Sequence, residues 1–112
     1  MDLISTLTAT VDGDLVSFHY EVTNRGDSPA TLTFRSGKRY DITVTHRDAS
    51  EVIWQASEGQ AYTMMMDSVE LPPGESASFQ DETQLEPGTY EATATLASTE
   101  MELPAIASFT IE

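Results

Sequence analysis

Apolar and polar residues alternate along most of the chain with a period of two, the pattern of strands that bury one face and wet the other. Over residues 3–11, Leu3, Leu7, Ala9 and Val11 share one face and Thr6, Thr8 and Thr10 the other. Over 15–23, Val16, Phe18, Tyr20 and Val22 face in, backed by Ser17, His19, Glu21 and Thr23. Asp12-Gly13-Asp14 between them is a turn signal, so the two segments predict a hairpin. After a second turn at 24–29, Leu32 and Phe34 face in, with Thr31, Thr33 and Arg35 out. Tyr40, Ile42 and Val44 resume the alternation with Asp41, Thr43 and Thr45 opposite. Val52, Trp54 and Ala56, then residues 62–66 and 69–71, then Ala77 and Phe79, predict further short strands. Tyr90, Ala92, Ala94 and Leu96, and finally Ala105, Ala107, Phe109 and Ile111, complete the set. Pro72-Pro73-Gly74-Glu75 and Glu86-Pro87-Gly88 separate the later segments. No long segment shows helical period with capping. The expectation is an all-β fold, an immunoglobulin-like antiparallel β-sandwich of eight or nine short strands, with Trp54 between its sheets and residues 1–112 forming a single domain.

The break at 36–39 carries a register argument. A two-residue Gly37-Lys38 turn would set Phe34 opposite Asp41, burying a carboxylate or exposing a phenylalanine. The alternatives are a three-residue loop pairing Phe34 with Tyr40, or a crossing of the chain between sheets.

Charge narrows the range of partners. Five Lys and Arg against 19 Asp and Glu give a net charge of −14 over 112 residues. Such a field repels nucleic acid and anionic membranes. No run of apolar residues is long enough to span a bilayer. The first residues carry neither a basic nor an apolar leader, so the expected location is the cytoplasm. All five cations, Arg25, Arg35, Lys38, Arg39 and Arg47, fall within 25–47 beside only two acids, which leaves that stretch at +3 and the remainder at −17. Two readings stand: a few cations on the least acidic surface, or a bipolar surface whose basic end meets an acidic partner. Self-repulsion at this charge is relieved when salt shortens the screening length to about 3 Å at 1 M. The composition therefore resembles that of a halophilic archaeal protein.

Catalytic chemistry finds little foothold. Cysteine is absent, which excludes disulfides, thiol catalysis and thiolate-held metals. His19 falls on a polar strand face and His46 at a strand end, and each reads as a bystander. No phosphate-cradling glycine motif and no nucleophile elbow occurs. Asp12-Gly13-Asp14 lacks the rest of a calcium loop, and two distant histidines do not make a zinc site. Carboxylates abound, but a sandwich this small has little material for a substrate cleft around a glycosidase pair. No cofactor, metal or catalytic residue is expected. The oddest local feature is Met64-Met65-Met66: as a strand, one face would fill the core with flexible side chains, or the run would offer an adaptable apolar contact surface.

Several segments taken together resemble a known family. They are Tyr20-Glu21-Val22-Thr23-Asn24, the stretch from Leu32 to Ile42 with Phe34-Arg35-Ser36-Gly37-Lys38-Arg39-Tyr40-Asp41, Val52-Ile53-Trp54-Gln55-Ala56-Ser57, Leu71-Pro72-Pro73-Gly74-Glu75-Ser76 and Pro87-Gly88-Thr89-Tyr90. Their order and spacing over about residues 16–96 are similar to the BsuPI-type intracellular proteinase inhibitors. Tyr62 is followed by methionines where that family commonly has an aromatic-rich segment. The resemblance implies an immunoglobulin-like sandwich and a non-enzyme that inhibits a subtilisin-like serine protease. It leaves Phe34, Tyr40 and Trp54 as core, Gly37 and Gly74 as turn positions, and Asp41 as a side-chain-to-backbone acceptor. An inhibitor of this build would grip through loops, at 36–39, at 58–60 with the methionines, or at 71–75. Lys38 or Arg39 would enter an acidic specificity pocket and Met65 an apolar one, so these three are the candidate partner-binding residues. The competing reading is a protein- or peptide-binding module that works by strand addition without inhibition. A small hydrolase, lacking an identifiable base, is the least favoured.

Overall fold

The computed structural model describes residues 3–112. It contains nine strands: β1 (Leu3–Asp12), β2 (Leu15–Asn24), β3 (Ala30–Phe34), β4 (Tyr40–His46), β5 (Val52–Gln55), β6 (Asp67–Leu71), β7 (Ser76–Gln84), β8 (Gly88–Leu96) and β9 (Ala105–Ile111). All pairings are antiparallel. One sheet has the order β1-β2-β7 and a second β5-β4-β8-β9, while β3 and β6 form a separate two-stranded ribbon. This is the immunoglobulin-like sandwich that the alternation predicts.

The two larger sheets bury the residues that parity turns inward. Val16, Phe18, Tyr20 and Val22 of β2 meet Ile42 and Val44 of β4, Tyr90, Ala92, Ala94 and Leu96 of β8, and Phe109 and Ile111 of β9. Each large aliphatic or aromatic side chain buried this way contributes about 1.5–3 kcal/mol, so a one-residue slip in any central strand is heavily penalised. The β1–β2 hairpin closes through two residues, with Asp12 opposite Leu15 and Gly13 at φ 65°, a left-handed position that glycine takes without strain. Tyr90 donates its hydroxyl back to the Glu86 carbonyl at the corner between β7 and β8, as the tyrosine of an immunoglobulin-type corner does. Trp54 is half-buried and stacks on Phe18 of the opposite sheet at 5.7 Å, so it bridges the sheets at their margin.

The ribbon settles the register question at 36–39 in favour of a crossing between sheets. Ala30 pairs with Leu71 next to the ends of β2 and β7, whereas Phe34 pairs with Asp67 and also bridges Ser98, just beyond β8. β3 thus carries the chain from the first sheet to the second, and β6 carries it back. Phe34 stays buried and no hairpin forces it opposite Asp41.

Three expectations are corrected. Residues 62–66 form no strand, and none of the three methionines fills the core: Met64, Met65 and Met66 are 87%, 74% and 69% exposed. Val52 is exposed where it begins β5, a four-residue strand at the edge of its sheet. Asp41 belongs to the polar parity yet is only 8% exposed, for the reason developed next.

Candidate functional site

Asp41 is the hub around which one end of the molecule is organised. Its Oδ1 accepts hydrogen bonds from the backbone amides of Ile42 at 2.9 Å and Ser57 at 3.1 Å. Its Oδ2 accepts from Lys38 Nζ at 2.9 Å, Gln55 Nε2 at 2.6 Å and Ser57 Oγ at 2.8 Å. One carboxylate therefore ties the 36–39 turn, the start of β4, the end of β5 and the turn after it. Burial opposes its ionisation, but the hydrogen bonds from Gln55, Lys38 and Ser57 and the Lys38 charge outweigh that, holding its pKa below the ordinary 3.8. The side-chain-to-backbone role expected of Asp41 is present, together with three side-chain donors that strand parity alone does not reveal.

The 36–39 turn is also fastened to the methionine segment. Gly37 N donates to the Thr63 carbonyl at 2.8 Å. A Cβ on Gly37 would sit 2.9 Å from Thr63 Oγ1 and 3.3 Å from Thr63 N, so a larger residue there would push Thr63 away from the turn. Within the turn, Ser36 Oγ accepts from Lys38 N at 3.1 Å. Arg39 reaches over the Phe34 ring, with its guanidinium carbon 4.6 Å from the centroid, and its Nη2 contacts Asp67 at 2.8 Å. The result is a continuous surface in which an open cleft of about 360 Å³ is bordered by Gly37, Arg39, Thr63, Met65, Met66 and Asp67. On its other flank Tyr40 stacks on Phe79 at 5.0 Å and donates to Asp81 Oδ2 at 3.1 Å. Burial, with the Asp81 charge and hydrogen bond, pushes the Tyr40 phenol up to about 12, so it acts here as a neutral donor.

The sequence candidates are therefore distributed as follows. Lys38, Arg39 and Met65 converge on one end, but the two cations are engaged with Asp41 and Asp67, while Met65 projects freely. The 71–75 loop lies at the far end of the β3–β6 ribbon, docked on Asn24: Gly74 N donates to the Asn24 carbonyl at 2.7 Å, and buried Asn24 Nδ2 donates to the Leu71 carbonyl at 2.9 Å. It is not part of the same surface. The cations close in sequence do not make one basic patch either. Two are paired with carboxylates, and Arg47 lies at the opposite end of β4 from the 36–39 turn.

Nothing at this surface has the layout of a catalytic centre. His19 contacts Gln80 at 3.1 Å and lies 3.6 Å from Glu21 on a polar sheet face, and His46 stacks on Tyr90 at 4.9 Å. A broad concavity of about 550 Å³ lies on the other side of Lys38, where Arg35 and Lys38 are offset by Asp41 and Glu102. Among the described residues no cluster of His, Asp and Glu could hold a metal ion, and no helix is long and apolar enough to cross a membrane.

Comparison with known proteins places this architecture. No curated protein matches the sequence. Among solved structures, a β-glucosidase from Kluyveromyces marxianus superposes with a TM-score of 0.55 at 14% identity, covering 99% of this chain and 14% of that one. β-Glucosidase 3B from Thermotoga neapolitana gives 0.53 at 16% identity, with 98% and 16% covered. The chain thus spans about a sixth or less of these enzymes, and at such identity the likeness concerns the fold alone. A candidate ApaA protein from Bordetella pertussis gives 0.51 at 21% identity, with 98% of this chain and 92% of that one covered. A family profile described as BsuPI, intracellular proteinase inhibitor, matches residues 3–101. That match takes in Asn24, the 36–39 turn, the Asp41 hub, Trp54 and the Tyr90 corner, and with it the chain belongs to the BsuPI intracellular proteinase inhibitor family.

Proposed function

We propose that this protein inhibits a subtilisin-like serine protease through the joint surface of residues 36–39 and 60–67. The observation that carries the reading is the Gly37–Thr63 contact, which fixes an otherwise irregular segment to a turn that Asp41 already holds. A surface ordered before binding loses little conformational entropy on association, which favours tight inhibition. Met65 ranks first among the anchors because its exposed side chain gives up no partner on entering an apolar pocket. Lys38 ranks second, since it would exchange Asp41 for a carboxylate of the protease. Arg39, held by both Phe34 and Asp67, ranks third. On this reading the chain is non-catalytic, works as a single domain in the cytoplasm, and is adapted to concentrated salt.

The test is titration of an intracellular subtilisin with the purified protein, at low and high KCl, followed by single Met65→Ala, Lys38→Ala and Arg39→Ala variants. A hot spot is worth about 2 kcal/mol, roughly a thirtyfold rise in inhibition constant. Met65→Ala is expected to reach it; absence of inhibition in either salt, or three neutral variants, refutes the proposal. A second reading rests on β7, a nine-residue strand at the edge of its sheet. Such an edge accepts an extended peptide. Peptide binding with no effect on protease activity would favour it.

A further inference from the structure

We propose that Met64, Met65 and Met66 form an oxidisable contact surface, which a peroxide converts from apolar to polar while the fold stays intact. The claim that this alters partner binding rests on the function proposed above; the claim about the site does not. The three thioethers are the most exposed large apolar side chains of the described residues, at 87%, 74% and 69%. They lie on a segment outside every strand, whereas Met101 is half-buried in the connection between β8 and β9. Since the chain holds no cysteine, its thioethers are its only sulfur groups open to two-electron oxidation. In the step itself a sulfur lone pair attacks one peroxide oxygen. The O–O bond breaks as the S–O bond forms, sulfur gives up two electrons, and the departing hydroxide leaves as water after taking a proton. The product is a sulfoxide, a flexible apolar side chain turned into a polar one with a strong acceptor oxygen.

Location decides the consequence. A sulfoxide in the core would lose packing and bury an unpaired acceptor. Here none of the three belongs to the buried cluster, and the bonds that hold the segment, Gly37 N to the Thr63 carbonyl and Arg39 to Asp67, involve no sulfur. Oxidation therefore leaves the sandwich folded and changes only what it offers to a partner. An apolar pocket that accepted Met65 would have to take in an unpaired S=O, so binding weakens by about tenfold or more. Sulfoxide reductases reverse the change, which makes the surface a switch rather than a point of damage.

The experiment treats the full chain with graded hydrogen peroxide. Peptide mapping by mass spectrometry follows oxygen uptake at each methionine, circular dichroism follows the melting midpoint, and hydrophobic-interaction chromatography follows surface polarity. The expected result is uptake at Met64–Met66 before Met101, an unchanged midpoint, and a drop in retention that methionine sulfoxide reductases restore. The Met64→Leu/Met65→Leu/Met66→Leu variant shows no drop. Oxidation of Met101 at an equal or faster rate, or a midpoint that falls as the segment oxidises, overturns the proposal. Titration of a subtilisin with native and oxidised protein then tests the effect on binding. Equal inhibition by both forms overturns the contact claim. If neither form inhibits, the proposed function fails, while mapping and retention still decide whether the surface is oxidisable.

Discussion

Removing the Asp41 carboxylate tests the architecture of the site at its centre. Asp41→Ala deprives five donors of their acceptor: the Ile42 and Ser57 amides, Gln55 Nε2, Ser57 Oγ and Lys38 Nζ. Lys38 is one-third exposed and turns to water at little cost. The two backbone amides cannot rotate away, and each costs about 1–3 kcal/mol if left unpaired in a buried position. With partial rehydration of Gln55 and Ser57, the expected loss is about 3–4 kcal/mol, in the range for breaking a buried charged contact. For a domain of this size that lowers the melting midpoint by about 12–16 °C. Asp41→Asn keeps the shape and one acceptor oxygen but turns an NH₂ group toward donors, so it falls between the parent and Ala, at about 2 kcal/mol. Urea unfolding of the three proteins at neutral pH measures this, and an Ala variant within about 1 kcal/mol of the parent refutes the hub. The pH dependence has a definite sign. The folded pKa of Asp41 lies below 3.8, so its stabilisation is fully present above about pH 4 and is lost as pH falls through the folded value. The gap between parent and Asp41→Asn is therefore constant from about pH 7 down to about pH 4 and narrows below that.

Other consequences follow from the same contacts. Gly37→Ala drives a Cβ against Thr63, so it lowers stability by about 1–2 kcal/mol and accelerates amide exchange at position 37; unchanged exchange means the loops are not joined there. Tyr90→Phe removes the corner hydroxyl from the Glu86 carbonyl while leaving the ring packed, and lowers unfolding free energy by about 1 kcal/mol in urea; a neutral result shows that the corner bond does not contribute. Raising KCl from about 0.1 M to about 3 M raises the melting midpoint, because screening relieves the repulsion of a −14 chain; an unmoved midpoint counts against adaptation to salt.

The parts of the fold legible in the sequence are those where one strand face is wholly buried. β2, β4, β8 and β9 declare themselves because apolar side chains recur at every second position, from Val16 to Val22, Tyr40 to Val44, Tyr90 to Leu96 and Ala105 to Ile111, with mostly polar residues between them. β7 shows only Ala77 and Phe79 of its nine residues, since Asp81 and Thr83 occupy the inward parity nearer its open end. The ribbon of β3 and β6 was indistinguishable from a loop closure, because alternation reports which face is buried and not which strand lies alongside. The methionines mislead for a related reason. Hydrophobic residues in an extended run imply burial, yet here the backbone bond from Gly37 orders the segment and no sheet covers it. Asp41 carried no sign of burial in its own strand. Its donors Gln55 and Ser57 arrive from a neighbouring strand and turn, and the family resemblance offered Asp41 only as an acceptor for the backbone.

The most direct check on the account is a hydrogen–deuterium exchange footprint of the protein bound to an intracellular subtilisin. Protection confined to residues 36–39 and 60–67, with the 71–75 loop and the β7 edge exchanging as in the free protein, is the predicted result. Protection along β7, or at 71–75 without the methionine segment, would contradict it.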